Sequence, residues 1–116
     1  MTAVWGNYAA LGYRRLVYTN TVSVLDGTAG QFRRAMGADG RIVRVLLTAS
    51  DETTAARLNG LELGSELARE LANSAREARL LDDRAPVGTV RVVTDGRSVV
   101  DIAEDVLAAS GWINRP

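Results

Sequence analysis

Four consecutive residues, Asp95-Gly96-Arg97-Ser98, are of types that could bind an anion. They are expected where a strand ends and a helix begins, and ligands of parallel sheets bind at such points because free helix amides attract negative charge. The simpler interpretation is a turn, in which Gly96 provides backbone freedom, Ser98 caps the helix and Arg97 lies in solvent. Both interpretations stay open at this stage, and the turn needs fewer assumptions.

Three further residues are candidates for contacts with a ligand. Arg57 stands late in a predicted helix and could face a phosphate, although an Arg at that position also complements the helix dipole while remaining in solvent. Thr19 and Asn20 end a predicted strand and could border a substrate, but polar residues at a strand end need no ligand. We predict no catalytic residue and no metal ligand.

The residue types that are missing restrict the chemistry further. The 116 residues include 14 positively charged side chains, all of them Arg, and neither His nor Cys. Zinc sites, thiol nucleophiles, Ser-His-Asp triads, lysine bases and disulfides are therefore excluded. What remains are carboxylates, guanidinium groups, hydroxyls and backbone amides, so we expect no catalysis by this chain alone.

Composition and charge predict one globular domain over 1–116 and a cytoplasmic location. Hydrophobic residues make up 47% of the chain, and the net charge is zero, which gives no basic surface for nucleic acid or for an anionic membrane. No stretch approaches the roughly 20 apolar residues that span a bilayer, and the N-terminus lacks the pattern of a signal peptide. We expect neither a nucleic acid nor a membrane partner.

The elements that position these residues follow from periodicity and from turn signals. Helices are predicted from Thr2 to about Leu11, over 31–36, from Ser50 to Asn59, from a Ser65 cap to about Arg84, and from Ser98 to Gly111. Strands are predicted over 15–22, 42–47 and 89–94. The alternation predicts an α/β fold with three layers, in which helices flank a mainly parallel, three-stranded sheet.

Four stretches carry a resemblance to a known family. They are Val4-Trp5-Gly6-Asn7-Tyr8 through Val17, Val43 through Ser50, Arg57 through Leu67, and Val90 through Ser98. Together they resemble the C-terminal half of small P-loop nucleotide kinases of the shikimate-kinase and adenylylsulfate-kinase type. The resemblance implies that these stretches are the third strand with its preceding helix, the fourth strand, a lid-like helical segment at about 57–84, and the fifth strand with the loop bordering the adenine.

The family's phosphate-binding half has no counterpart in the chain. Gly27-Thr28-Ala29-Gly30 has neither the spacing nor the Lys of a phosphate-binding loop. The lid positions at which relatives carry arginines are Asn59 and Leu61, which leaves Arg57 alone. In the family, the missing first strand lies between the third and the fourth, so Val43–Leu47 would lose a neighbour. Either the strands pair anew, or a second copy completes the sheet, or the chain is a piece of a longer protein; we predict a homodimer.

Two hypotheses about function follow. The first is a non-catalytic, kinase-like α/β domain that self-associates or binds a protein partner and needs no cofactor. The alternative is the C-terminal portion of an ATP-dependent nucleotide or small-molecule kinase, which uses ATP and Mg²⁺ only when the P-loop half is supplied by another chain or by a longer gene product. Met1, as an initiator, favours the first hypothesis.

Overall fold

A computed structural model describes residues 2–20, 23–25, 27–37, 39–61 and 63–113. The chain divides into two compact units, Met1–Ile42 and Val43–Pro116. Their elements are α1 (Thr2–Ala10) and α2 (Thr28–Met36) in the first unit, and β1 (Val45–Thr48), α3 (Asp51–Asn59), α4 (Leu67–Arg84), β2 (Val90–Val93) and α5 (Val99–Ser110) in the second. The mixed α/β class predicted from the sequence is confirmed. Among the described residues, no helix combines the length and the apolar character that crossing a membrane requires.

The first unit is a pair of helices in contact, α1 and α2. Gly12, at φ 93°, follows the predicted end of α1 and adopts a backbone conformation that favours glycine. Val24 and Ala29 are buried, and the rings of Tyr18 and Phe32 meet edge to face with centroids 5.1 Å apart. The unit therefore has a small apolar core of its own.

The strand predicted over Arg15–Val22 is not formed in its described part. Residues 15–20 are irregular, while 21 and 22 lie outside the described residues. Val17 is 65% exposed, and Tyr18 packs on a ring of α2 rather than in a sheet. Branched and aromatic residues favour a strand only where a neighbour offers a hydrogen-bond ladder, and the two strands of the described sheet pair with each other.

The second unit is built on two parallel strands. β1 pairs directly with β2, with Val45 opposite Val90 and Thr48 opposite Val93. Within the described ranges the sheet has two strands rather than the predicted three. Leu46 and Val92 are its buried side chains. Because they occupy different rows of the register, they point to opposite faces of the sheet, so apolar packing exists on both faces.

Helix starts in the second unit agree with the predicted caps in two of three cases. Ser50 caps α3 and Ser98 caps α5, each accepting the backbone N–H three residues ahead. Ser65 does not cap α4: it lies in a 3-10 turn, Gly64–Glu66, and α4 begins at Leu67 without a side-chain cap. Helices α3 and α4 contact each other, and α5 packs against β2.

Candidate functional site

The carboxyl ends of β1 and β2 lie at the same edge of the sheet because the strands are parallel. The loops that leave them lead directly into α3 and α5. Five side chains from these loops and from α3 form two hydrogen-bonded groups, Ser50 with Thr53 and Asp95, and Arg57 with Thr94. The two groups are adjacent along the chain at Thr94 and Asp95, and together we call them the strand-end cluster.

Thr94 ties the two strand ends together. It is buried, with 6% of its surface exposed. Its N–H and its hydroxyl each donate to the carbonyl oxygen of Thr48 at 2.8 Å. The guanidinium of Arg57 reaches it from α3: Nη1 donates to Thr94 Oγ1 and Nη2 to the Thr94 carbonyl oxygen, both at 3.1 Å. Arg57, predicted as a candidate for phosphate contact, is thus bound to the backbone and side chain of its own chain.

Asp95 links the second loop to the start of α3. Its Oδ1 accepts from the N–H of Ser50 at 2.9 Å and from the hydroxyl of Ser50 at 2.7 Å. The hydroxyl of Thr53, followed by the N–H and the hydroxyl of Ser50, lowers the pKa of Asp95 from 3.8 to about 2. The carboxylate therefore occupies the N-terminal end of α3, where an external anion would otherwise bind.

Arg97 is held by three groups of its own chain. Nη1 donates to the carbonyl oxygen of Val93 at 3.1 Å, and Nη2 donates to that of Asp101 at 3.2 Å. Nη1 also lies 2.5 Å from Asp105 Oδ2, in an ion pair whose side chains are 30% and 24% exposed. The turn interpretation placed Arg97 in solvent, and that detail is wrong.

The other residues of the loop behave as the turn interpretation predicts. Gly96, at φ 63°, provides the left-handed conformation of the bend. The hydroxyl of Ser98 accepts the N–H of Asp101 at 3.1 Å and caps α5. The loop 95–98 is therefore organised by contacts with its own unit.

Thr19 and Asn20 belong to the first unit, in the irregular segment that follows α1. Both are exposed, and the carbonyl oxygen of Asn20 accepts from the hydroxyl of Ser23 at 3.2 Å. The other predicted site residues all lie in the second unit.

Sequence reasoning missed the central residue of the cluster. Thr94 is the last residue of the strand predicted over 89–94, and Thr53 lies within the helix predicted from Ser50 to Asn59; neither is a predicted site residue. The available signal was a run of hydroxyl and carboxylate residues directly after each strand, Thr48 with Ser50 and Thr94 with Asp95. The partners are 37 and 46 residues apart along the chain, so only the pairing of the strands brings them together.

The strand-end cluster ties the ends of β1 and β2 to each other and to α3, and we call this set of contacts the clamp. Its hydroxyls donate to a carbonyl oxygen and a carboxylate, and its guanidinium spans a hydroxyl and a carbonyl oxygen. Among the described residues, no three acidic side chains are grouped so that they could hold a metal ion. Protein-family models, curated proteins and solved structures give no match to this chain.

Proposed function

We propose that this chain is a non-catalytic, kinase-like α/β domain that works by associating with a second copy of itself. The observation that carries the proposal is the amount of apolar surface that the fold leaves in water. In the second unit the large hydrophobic residues that are more than two-fifths exposed are Leu47, Leu61, Leu80, Val87, Val93, Val99 and Val100. Where exposed apolar side chains are contiguous, such surface favours association with a partner.

The strand-end cluster supports the non-catalytic part of the proposal. Arg57 and Asp95, two polar groups at the edge where a parallel sheet would hold a ligand, are both hydrogen-bonded within the cluster. A ligand at this edge would have to replace those contacts. The cost of breaking them reduces the free energy available for binding.

The resemblance to small kinases also suggests where the second copy binds. In the resemblance, β1 corresponds to the strand that borders the missing first strand of the family. We infer that the second copy takes that place beside β1 and thereby enlarges the two-stranded sheet.

Sedimentation equilibrium from micromolar to millimolar concentration tests the proposal. We expect a reversible dimer, with a mass twice the 12.4 kDa of the chain at the upper concentrations. A monomeric mass throughout the range would contradict self-association.

The alternative function, a portion of an ATP-dependent kinase, is favoured by one observation. Both strand-end loops lead into helix N-termini at the same edge of a parallel sheet, which is where α/β enzymes bind nucleotides. Millimolar ATP with Mg²⁺ would then raise the melting temperature of the chain, because ligand binding to the folded state stabilises it. An unchanged melting temperature supports the non-catalytic domain, and a clear rise supports the alternative.

A further inference from the structure

The outer edge of β2 is protected by charged side chains. Since Thr94 turns its N–H toward β1, the alternation of backbone groups in a parallel pair turns those of Val93 away from β1. The outward carbonyl oxygen of Val93 accepts from the guanidinium of Arg97. On the same strand, the guanidinium of Arg91 binds the carboxylate of Asp82 at 2.9 Å. Charges of this kind discourage the addition of another strand.

The outer edge of β1 has no such protection. Arg44 and Thr48 turn their carbonyl oxygens toward β2, so the N–H and C=O groups of Val45 and Leu47 point to the outer edge. Throughout the described part of the chain, no hydrogen bond reaches these outward groups. The strand carries no charge, glycine or proline that would hinder the approach of another strand. The asymmetry identifies β1 as the edge that accepts a partner.

We propose that β1 of one copy pairs with β1 of a second copy, antiparallel and across a two-fold axis. This rests on the proposed self-association and specifies the surface through which it occurs. A strand that pairs with itself across a two-fold axis presents the same groups from both sides, so the contact closes after two copies. The product is a four-stranded sheet in which β1 and its symmetry mate are central and both copies of β2 are outermost.

The register follows from the short length of β1. Centring the axis on Leu46 places Val45 of one copy opposite Leu47 of the other, and both residues have outward backbone groups. Each of these two pairs exchanges two hydrogen bonds. Leu47, which is 54% exposed in the single chain, then packs against an aliphatic side chain. No like charges meet within the strands, because β1 is uncharged.

Two matched lysine substitutions test which edge is used. Leu47 and Val93 are both 54% exposed, and both lie in four-residue strands at positions whose backbone faces an outer edge. Leu47→Lys places an ammonium group at each of the two symmetry-related contacts, and we expect it to raise the dimer dissociation constant by about tenfold or more. Val93→Lys lies at the protected edge, and we expect it to leave the constant unchanged. Sedimentation equilibrium measures both.

A cross-linking experiment covers the case in which Leu47→Lys fails to fold. The chain contains no Cys, so Leu47→Cys and Val93→Cys each introduce a single thiol. The two Leu47 positions would be diagonal neighbours on adjacent strands, about 7–8 Å apart, whereas the two Val93 positions would be three strand spacings apart, at least about 14 Å. A short bismaleimide should therefore join two copies of Leu47→Cys and not two copies of Val93→Cys.

The outcomes separate this inference from the proposed function. Dissociation by Leu47→Lys alone and cross-linking of Leu47→Cys alone support the β1 contact. A wild-type dimer that Val93→Lys dissociates, or in which Leu47→Cys does not cross-link, overturns the β1 contact and leaves self-association intact. A wild-type chain that remains monomeric overturns both.

Discussion

The strand-end cluster and the outer edge of β1 differ in how their hydrogen-bonding groups are used. At the cluster, Arg57 of α3 donates to Thr94, and Asp95 accepts from Ser50 at the start of α3. At the outer edge, a short row of backbone groups on Val45 and Leu47 faces outward from an uncharged strand. The polar residues that the sequence offers as ligand contacts thus stabilise the fold. The backbone N–H and C=O groups that face outward from β1 belong to the apolar residues Val45 and Leu47.

This difference favours association over ligand binding, because unpaired backbone groups are strong and geometrically ordered binding elements. It also explains why the two edges of one small sheet should behave differently. The edge formed by β2 is protected by Arg97, which originates in the same loop as Asp95. Substitutions at Arg97, at Thr94 and at Asp95 should therefore change assembly and stability to a decreasing extent.

Removing the side chain of Arg97 should have the largest effect, and this effect is on the mass of the assembly. The outer edge of β2 then lacks its protecting charge, as the outer edge of β1 already does. Arg97→Ala frees the outward carbonyl oxygen of Val93 and removes the charge beside β2. A dimer whose outermost strands are both open can add further copies without closing. We expect assemblies larger than the wild type, growing with concentration, when the mass is measured by light scattering.

Arg97→Lys is the control for that experiment. An ammonium group retains the charge and one donor for the carbonyl oxygen of Val93, so this variant should keep the mass of the wild type. If Arg97→Ala also keeps the wild-type mass, Arg97 does not protect the edge, and the comparison between the two edges loses its main support.

The second prediction breaks the clamp and leaves the edge of β1 unchanged. Thr94→Val removes a buried hydroxyl that donates to the carbonyl oxygen of Thr48 and accepts from Arg57. We expect a loss of about 1–3 kcal/mol in the free energy of unfolding, because Nη1 of Arg57 loses its acceptor and the carbonyl oxygen of Thr48 loses one of its two donors. Urea denaturation at one fixed protein concentration measures the loss.

Thr94→Ser keeps the hydroxyl and serves as the matched control, with a smaller loss that reflects only the missing methyl group. A double-mutant cycle with Arg57→Ala isolates the contact between the two residues. Additive losses would mean that Arg57 and Thr94 do not stabilise one another, which contradicts the clamp.

Local signals explain which parts of the fold could be predicted from the sequence. The helix α5 has its cap at Ser98, an apolar stripe and Gly111 at φ 78°, all within one short stretch, and it was predicted correctly. The strand predicted over 15–22 is wrong in its described part, 15–20, where the chain is irregular. The cap predicted at Ser65 is wrong because Ser65 lies in the 3-10 turn before α4.

The strand-end cluster was largely beyond prediction because its partners are far apart in sequence. Asp95 contacts Ser50 across 45 residues, and the sequence cannot show that two loops meet until the pairing of the strands is known. Sequence reasoning did place Asp95, Arg97 and Ser98 at a strand end. It could not show that Arg97 turns back onto the strand it follows, which is what distinguishes the two edges of the sheet.

The contribution of Asp95 to the free energy of unfolding should depend on pH, and only in acidic solution. The pKa of this carboxyl is about 2 in the folded chain, against an ordinary value of 3.8. Its ionised form therefore stabilises the fold fully above about pH 4, and this contribution is lost as the pH falls through about 2. Asp95→Asn lacks the ionisation, so the stability difference between wild type and variant should shrink as the pH is lowered from 4 to 2.

The donors around the carboxylate provide the control, because they are what lowers its pKa. Thr53→Val removes the hydroxyl that contributes most and keeps the shape of the side chain, so the pKa of Asp95 should rise toward 3.8. The acid-dependent difference between Thr53→Val and the double variant with Asp95→Asn should then be smaller than in the wild-type background. If the difference is equal in both backgrounds, the hydroxyl of Thr53 does not lower the pKa of Asp95, and Ser50 alone ties the carboxylate to α3.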